Sequence, residues 1–566
     1  MLLILISWIY IAFTSINLGV GLDKLMKSSS DSIVITTMKG LFTTTILASF
    51  WAIFGRINIE FHGFLLVLNL ILFFKFKTDI KNSYTTFATQ FWQLSKSLQL
   101  YLLVITLLIV AQCASIPYII DNETYYIQTI KWLNEFGLVK GLANLHIFFG
   151  QTSGWHITQS VFNFSFLYDN LNDLSGFCLL LGNIFAVEKL NQYFTNQNKN
   201  HLLIGLLPIA NVLLFQFVSA PSPDLPVYIQ SFIAFLLFVE NYHSVTKTIL
   251  NDLTIVCLFL FYIKPSAFLL LLLPVILLLK DYKKVSQTLF PNFTLGLIIL
   301  GLFITKNTVL TGYPLFPLTT FSFNNYDFKV PSEMVEFYFN QQRLYRFFLT
   351  NEEFHSLSFW EKCSKWITME KISGIFNVLS LILVIIIPFF IRKYFHQKAY
   401  WILYGIMVVQ LFLLIITSPQ FRFFIHFNLF FGFLVLASFH PNKKFIQLGL
   451  ILSIILVLIM LFFPIKYNYL TQNQLIMDNS KFSKRNTIFP YRNSKLKTTF
   501  HSVKNGNLTY NSPDTKTFFW ANGNGQLPCV NSAQIDYFGA RFHYIPQLRT
   551  AHLKDGFYSK KWLSDD

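Results

Sequence analysis

The chain has 566 residues and a formal net charge of +17, yet only 13% of its residues are charged and 54% are hydrophobic, with a mean hydropathy of +0.49. That balance excludes an ordinary soluble globular protein and makes lipid the natural solvent. The basic excess does not point to nucleic acid, because much of the Lys and Arg falls in short loops between apolar runs, as membrane topology requires.

Apolar runs long enough to cross a hydrocarbon core, about 20 helical residues, recur from Leu2 almost to Pro464. Approximate cores are predicted at 2–20, 33–55, 61–76, 98–116, 174–187, 202–219, 225–239, 250–263, 266–279, 293–310, 372–391, 400–417, 421–438 and 445–464. The fold class is therefore an all-α polytopic membrane protein of roughly 12–14 transmembrane helices. The first run has no basic residue before it and no small-residue cleavage pattern after it, so it reads as a retained helix. No internal repeat is apparent.

Lys and Arg set the orientation. Lys24 and Lys27 follow the first run, Lys75, Lys77, Lys81 and Lys96 the third, and Lys189 and Lys199 the fifth. Lys247, then Lys280, Lys283 and Lys284, then Arg392, Lys393 and Lys398, then Lys443 and Lys444 continue the alternation. Every second loop is basic, which predicts those loops as cytoplasmic and both termini as extracytoplasmic. Residues 1–464 are read as the transmembrane module, with long external loops at 117–173 and 311–371. Residues 465–566 form a small extracytoplasmic C-terminal domain, a disordered appendage being the alternative. Cys113, Cys178 and Cys257 lie in apolar runs as small hydrophobes, whereas Cys363 and Cys529 both fall outside, leaving a disulfide between them open.

The external segments hold the candidate chemistry. Ile120-Asp121-Asn122-Glu123-Thr124-Tyr125-Tyr126 puts two carboxylates at a span boundary. Ile127, Ile130, Leu133 and Phe136 then fall at helical spacing, predicting a helix with its apolar side toward the membrane or core. Asp121 either serves a function there or caps this helix through the Thr124 N–H. Trp155 and His156 follow in the same loop as a candidate substrate-binding aromatic surface together with Tyr313 of the Thr311-Gly312-Tyr313-Pro314 turn. Ser219-Ala220-Pro221-Ser222-Pro223-Asp224-Leu225-Pro226 is a stiff turn that fixes another acid at the mouth of a span, or an ordinary cap. Lys264, in Tyr262-Ile263-Lys264-Pro265, breaks the positive-inside pattern and either snorkels or pairs with an acid or phosphate. Arg422, in Ser418-Pro419-Gln420-Phe421-Arg422-Phe423, should face the bundle interior and hold a phosphate or Asp224. Arg343 and Arg346 read as a solvated or headgroup-facing helix side.

His146 and His156 lack metal-ligand spacing, so no metal site is assigned, although one acid with either histidine leaves a divalent ion open. The sequence has no Gly-rich phosphate loop and no nucleophile elbow, which argues against an ATP-driven pump.

The pattern resembles the GT-C superfamily of multi-pass glycosyltransferases, whose first long external loop carries an acidic motif and whose donors are sugars on polyprenyl phosphate. Asp121 and Glu123 are the matching residues. The 418–423 segment resembles the Arg-Phe element that some eukaryotic lipid-donor mannosyltransferases carry after an acid, with Gln420 standing where that acid is expected. Residues 121–150, 219–224, the Gly312-Tyr313-Pro314 turn and 513–529, ending in Leu527-Pro528-Cys529, are similar to a bacterial family of multi-pass membrane proteins of unassigned activity.

The resemblance implies an inverting transfer from a polyprenyl-phosphate sugar donor to a cell-envelope glycan, lipid or protein acceptor, at a bacterial inner membrane. Asp121 would be the general base, Glu123 and Asp224 would orient hydroxyls, and Arg422 and Lys264 would hold the donor phosphate. The alternative is a transporter or flippase of lipid-linked or anionic solutes, which predicts charges on both halves of the membrane. The charges read from the sequence gather at one face. A scaffold of polysaccharide assembly is a third reading.

Overall fold

A computed structural model describes residues 1–168, 171–322, 326–347, 349–463, 482–514 and 518–561, apart from the side chains of 342, 343, 345, 346 and 351. The Arg343 and Arg346 side chains and the start of the tail therefore lie outside what is described. Among the described residues nine helices are long and apolar enough to cross a membrane, or ten if one bent pair is counted as a span. The chain is an α-helical multi-pass membrane protein.

The first two spans, α1 (Leu2–Leu25) and α2 (Ile33–Phe54), pack backbone to backbone. A Cβ on Gly19 would stand 2.0 Å from the Thr36 carbonyl oxygen, and one on Gly40 would stand 1.7 Å from that of Ser15. Only glycine permits this approach, the usual device for tight helix pairs in lipid. The third expected run is α3 (Ile59–Lys75), which breaks by 88° into α4 (Lys77–Gln93). Helix α5 (Lys96–Cys113) and the spans Leu174–Asn196, Lys199–Phe217, Tyr282–Thr311, Lys371–Phe395, Lys398–Thr417 and Lys443–Phe462 complete the long set.

Some expected spans are shorter or interior. Pro265–Lys280 and Ile425–Ser438 are short apolar helices, and Lys247–Ile263 has 17 residues. Asp224–Asn241 is buried from Asp224 to Val239, so it is a central helix that other helices surround.

Residues 122–163 fold into a stack of short helices rather than a loop. The helix Ile127–Glu135 buries Ile127, Ile130 and Leu133, but also Gln128, Thr129 and Asn134, so it lies inside the protein with its apolar side on the core. Its polar side and the turn before it carry the tail: Gln128 donates to the Gly523 and Gly525 carbonyls (2.9 and 3.1 Å), and the Asn522 and Gly523 amides donate to the Glu123 carbonyl.

Over its described residues the tail from Phe482 is folded. It has one antiparallel pair, β1 (Phe500–Asn505) with β2 (Leu508–Pro513), a helix Ser532–Phe542, and a second pair, β3 (Tyr544–Leu548) with β4 (Phe557–Lys561). Strand β4 docks on the stack through Phe557 N–H to the Lys140 carbonyl and Ser559 Oγ to Asn144. Cys363 and Cys529 are both free thiols, and the Cys529 Sγ lies 3.3 Å from the Asn522 carbonyl.

Candidate functional site

Four segments far apart in sequence converge on a cavity of about 290 Å³ on the tail-bearing face. Asp121 enters it from the start of a π-helical turn, Asn122–Tyr126. Its side chain makes no capping bond, and Thr124 Oγ1 donates instead to the Asp121 carbonyl, so the capping role does not account for this acid. Asp224 opens the central helix Asp224–Asn241, where Ser222 Oγ accepts from its amide at 3.3 Å. Lys264 ends the helix Lys247–Ile263, whose last carbonyl, Ile263, accepts from Ser153 Oγ at 2.6 Å. Arg422 stands on the short 3-10 turn Phe421–Phe423, and its own carbonyl accepts from Tyr228 of the central helix at 2.7 Å.

The charges are paired across the cavity. Arg422 Nη1 lies 2.7 Å from Asp121 Oδ2 and 3.8 Å from Asp224 Oδ2. Lys264 donates to Asp224 Oδ1 and lies over the Phe423 ring, 3.8 Å from its centroid. Gln420 holds the guanidinium from behind, its Oε1 accepting from Arg422 Nε at 2.5 Å. Burial lowers the Lys264 ammonium to about 8 against the upward pull of Asp224.

Lys306, from the span Tyr282–Thr311, is a fifth charge that sequence reasoning missed. It is buried, donating to the Thr152 carbonyl (2.5 Å) and Asn307 Oδ1 (2.8 Å), and among the described residues no carboxylate pairs with it. Three cations thus face two carboxylates in one cavity. A buried group with an uncompensated positive charge favours an anionic ligand.

The remaining predicted site residues stand elsewhere. Glu123 is buried beside the cavity, not in it: Ser494 Oγ donates to Oε2 (2.5 Å), and the Lys495 amide (3.0 Å) and Asn122 Nδ2 (3.2 Å) donate to Oε1. Burial raises its carboxyl above the usual range, with those three donors pulling the other way. It anchors the tail. Trp155 is fully buried with its indole on Ser175 Oγ (3.2 Å), His156 closes a capping box with Ser153, and Tyr313 donates to the Val330 carbonyl (2.9 Å). None of the three lines the cavity, which corrects the expected aromatic surface. Its aromatic lining is Tyr125, Tyr126, Tyr262, Phe303, Phe316, Tyr338 and Phe423. Phe316 and Tyr338 stack at 5.9 Å.

Burial lowers both His146 and His156 to about 3, so both are neutral near pH 7. Among the described residues no three His, Cys, Asp or Glu side chains gather as metal ligands.

A second charged cluster corrects the expectation that charge gathers at one face. Lys39 of α2 pairs with Asp23 of α1 and, at 2.8 Å, with Asp252, and all three are buried. They sit where α1 ends and the helix Lys247–Ile263 begins, at the end of the bundle opposite the cavity.

The family described as Domain of unknown function (DUF8201) matches residues 1–429, about three quarters of the chain, and the chain belongs to that family. No curated protein and no solved structure matches it.

Proposed function

We propose that this DUF8201 member is a membrane glycosyltransferase of GT-C type. It would move a sugar from a polyprenyl-phosphate donor to an extracytoplasmic glycan, lipid or protein acceptor, in a bacterial inner membrane with the cavity on the outer side. In this reading the bundle has 12–14 spans, the shorter helices included. The observation that carries the proposal is the cavity in which Asp121 and Asp224 meet Arg422, Lys264 and Lys306.

Transfer needs a base for the acceptor hydroxyl and neutralisation of the phosphate that leaves. The acceptor oxygen attacks the anomeric carbon, its proton passes to Asp121, and the sugar–oxygen bond to phosphate breaks to release polyprenyl phosphate. Without ligand, Arg422 occupies the Asp121 carboxylate. The donor phosphate competes for that guanidinium, so donor binding frees Asp121 to act as a base. Lys306, having no acid to leave, is free to turn to the phosphate. Asp224 orients a sugar hydroxyl, and Glu123 acts through the tail rather than on the substrate.

The test is release of polyprenyl phosphate from a panel of polyprenyl-phosphate sugars by the purified protein in nanodiscs. Wild-type release that Asp121→Asn and Arg422→Ala both abolish supports the transferase. Tight donor binding without release, unaffected by Asp121→Asn, favours the second reading, a transporter or flippase. The buried Lys39–Asp23–Asp252 cluster speaks for that rival, because it puts charge in the opposite half of the bundle.

A further inference from the structure

The tail begins as a strap across the ends of three spanning helices. The Phe482 amide donates to the Leu461 carbonyl at the end of the span Lys443–Phe462 (3.3 Å), the Leu3 amide of α1 donates to Ile488 (3.4 Å), and the Tyr491 amide donates to Ala114 just after α5 (2.9 Å). Residues 482–491 therefore lie at the level where apolar helix gives way to polar chain, which is the headgroup level of a bilayer. Tyr168 closes the strap from the other side, its hydroxyl donating to the Pro490 carbonyl at 3.3 Å.

Between the strap and the start of β1 lies a cleft of about 1190 Å³, with Arg485, Arg492 and Lys497 in its lining. Its acid is Asp514, whose carboxylate already accepts from Thr499 Oγ1 at 3.0 Å and stands 3.6 Å from His501. Among the described residues none of the three cations makes an ion pair. Beside them Ile488 is 51% exposed and Phe489 48% exposed, an apolar edge flanked by Arg485 and Arg492. Basic side chains above an exposed apolar edge match a phosphate headgroup with its acyl chains below. A soluble polyanion has no use for that edge.

We propose that this cleft holds the headgroup phosphate of an anionic membrane lipid. The site is separate from the transfer cavity and does not rest on the proposed activity. Its inner wall at Ser494 is tied to Glu123, two residues from Asp121, so lipid in the cleft braces the turn that carries the acid.

The experiment uses the full chain in zwitterionic detergent, with binding read by native mass spectrometry and by crosslinking of a headgroup-photoactivatable phosphatidylglycerol mapped to peptides. Phosphatidylglycerol, phosphatidylcholine, inorganic phosphate and dextran sulfate are the probes. Phosphatidylglycerol is expected to crosslink within 483–499 in preference to phosphatidylcholine. Each cation near an anionic surface gives roughly fivefold, so Arg485→Gln/Arg492→Gln/Lys497→Gln together should weaken binding on the order of a hundredfold. Ile488→Ser/Phe489→Ser should weaken lipid binding as well, while Lys283→Gln/Lys284→Gln, at a distant loop, leaves the 483–499 crosslinks unchanged. Equal retention of phosphatidylcholine, or undiminished crosslinking in the triple variant, overturns the proposal. So does tight dextran sulfate or phosphate binding that needs the three cations while phosphatidylglycerol binding does not.

Discussion

Arg422 Nη1 stands 2.7 Å from Asp121 Oδ2 although 301 residues separate them, and the same nitrogen is 3.8 Å from Asp224 Oδ2. One guanidinium thus keeps two carboxylates compatible in one cavity. Arg422→Ala should remove polyprenyl-phosphate release by roughly 10²- to 10³-fold, the usual cost of losing one charge-stabilising donor. Arg422→Lys should recover little, because a single ammonium cannot keep the Gln420 contact and reach Asp121 with a planar fork. Release rates of the three proteins at saturating donor check this, and a Lys variant as fast as wild type would remove the planar fork from the argument.

Lys306 separates stability from binding. Its ammonium is buried without an acid, and a buried ion costs several kcal/mol. Replacing it by Met relieves that cost, at about 1–3 kcal/mol for each of the Thr152 and Asn307 acceptors it leaves unpaired. The two effects are of similar size, so Lys306→Met is expected to leave the unfolding temperature near that of the wild type while weakening polyprenyl phosphate binding by about tenfold or more. Thermal unfolding and lipid titration on the same sample decide it. A loss of both together would make Lys306 a structural residue.

Lys264 sets a pH limit. Burial brings its ammonium down to about 8, so the charge is present at pH 7 and lost as pH rises through about 8. Binding of a phosphate-bearing ligand should be level below that value and fall above it. Lys264→Arg, which stays protonated throughout, should move the fall to higher pH. A wild-type profile that is flat from pH 7 to 10 would show that Lys264 does not face the phosphate.

Asp121, Asp224, Lys264 and Arg422 were legible in the sequence because each breaks a local pattern: an acid at a span mouth, a cation on the wrong side, an Arg at lipid depth. Lys306 does not stand out, since loop counting passes over a lone cation inside an apolar run. The anchoring role of Glu123 depends on a partner 371 residues away, and the Lys39–Asp252 pair spans 213 residues. Pattern cannot show such contacts. Nor does aromatic character tell which rings face a cavity: Trp155 and Tyr313 turn into the core, while Tyr338 and Phe316 line the site. The fourteen apolar runs were visible, but hydropathy could not distinguish a lipid-facing span from a central helix such as Asp224–Asn241.

Glu123 is expected to act through the tail. Its carboxylate collects Ser494, the Lys495 amide and Asn122, so Glu123→Ala should free residues 494–496 and speed their amide exchange by tenfold or more. The Asp121–Arg422 pair belongs to a different side of the turn. Exchange at 425–438 should therefore not change. Unaltered exchange across 494–496 would deny the anchor.

The Lys39 cluster makes the sharpest stability contrast. Lys39 lies between Asp23 and Asp252 with its side chain wholly buried, and Ser28 Oγ also donates to Asp23 at 3.2 Å. Removing only the cation, as in Lys39→Met, strands two buried carboxylates and should cost about 3–5 kcal/mol, seen as a lower unfolding temperature and poor recovery from membranes. Neutralising all three, as Asp23→Asn/Lys39→Met/Asp252→Asn, removes the unpaired charge and should restore most of that loss. If the triple variant is stable and still releases polyprenyl phosphate, the cluster is a packing feature of the bundle. If it is stable but inactive, charge in the opposite half of the membrane takes part in the function, and the balance moves from transferase to transporter.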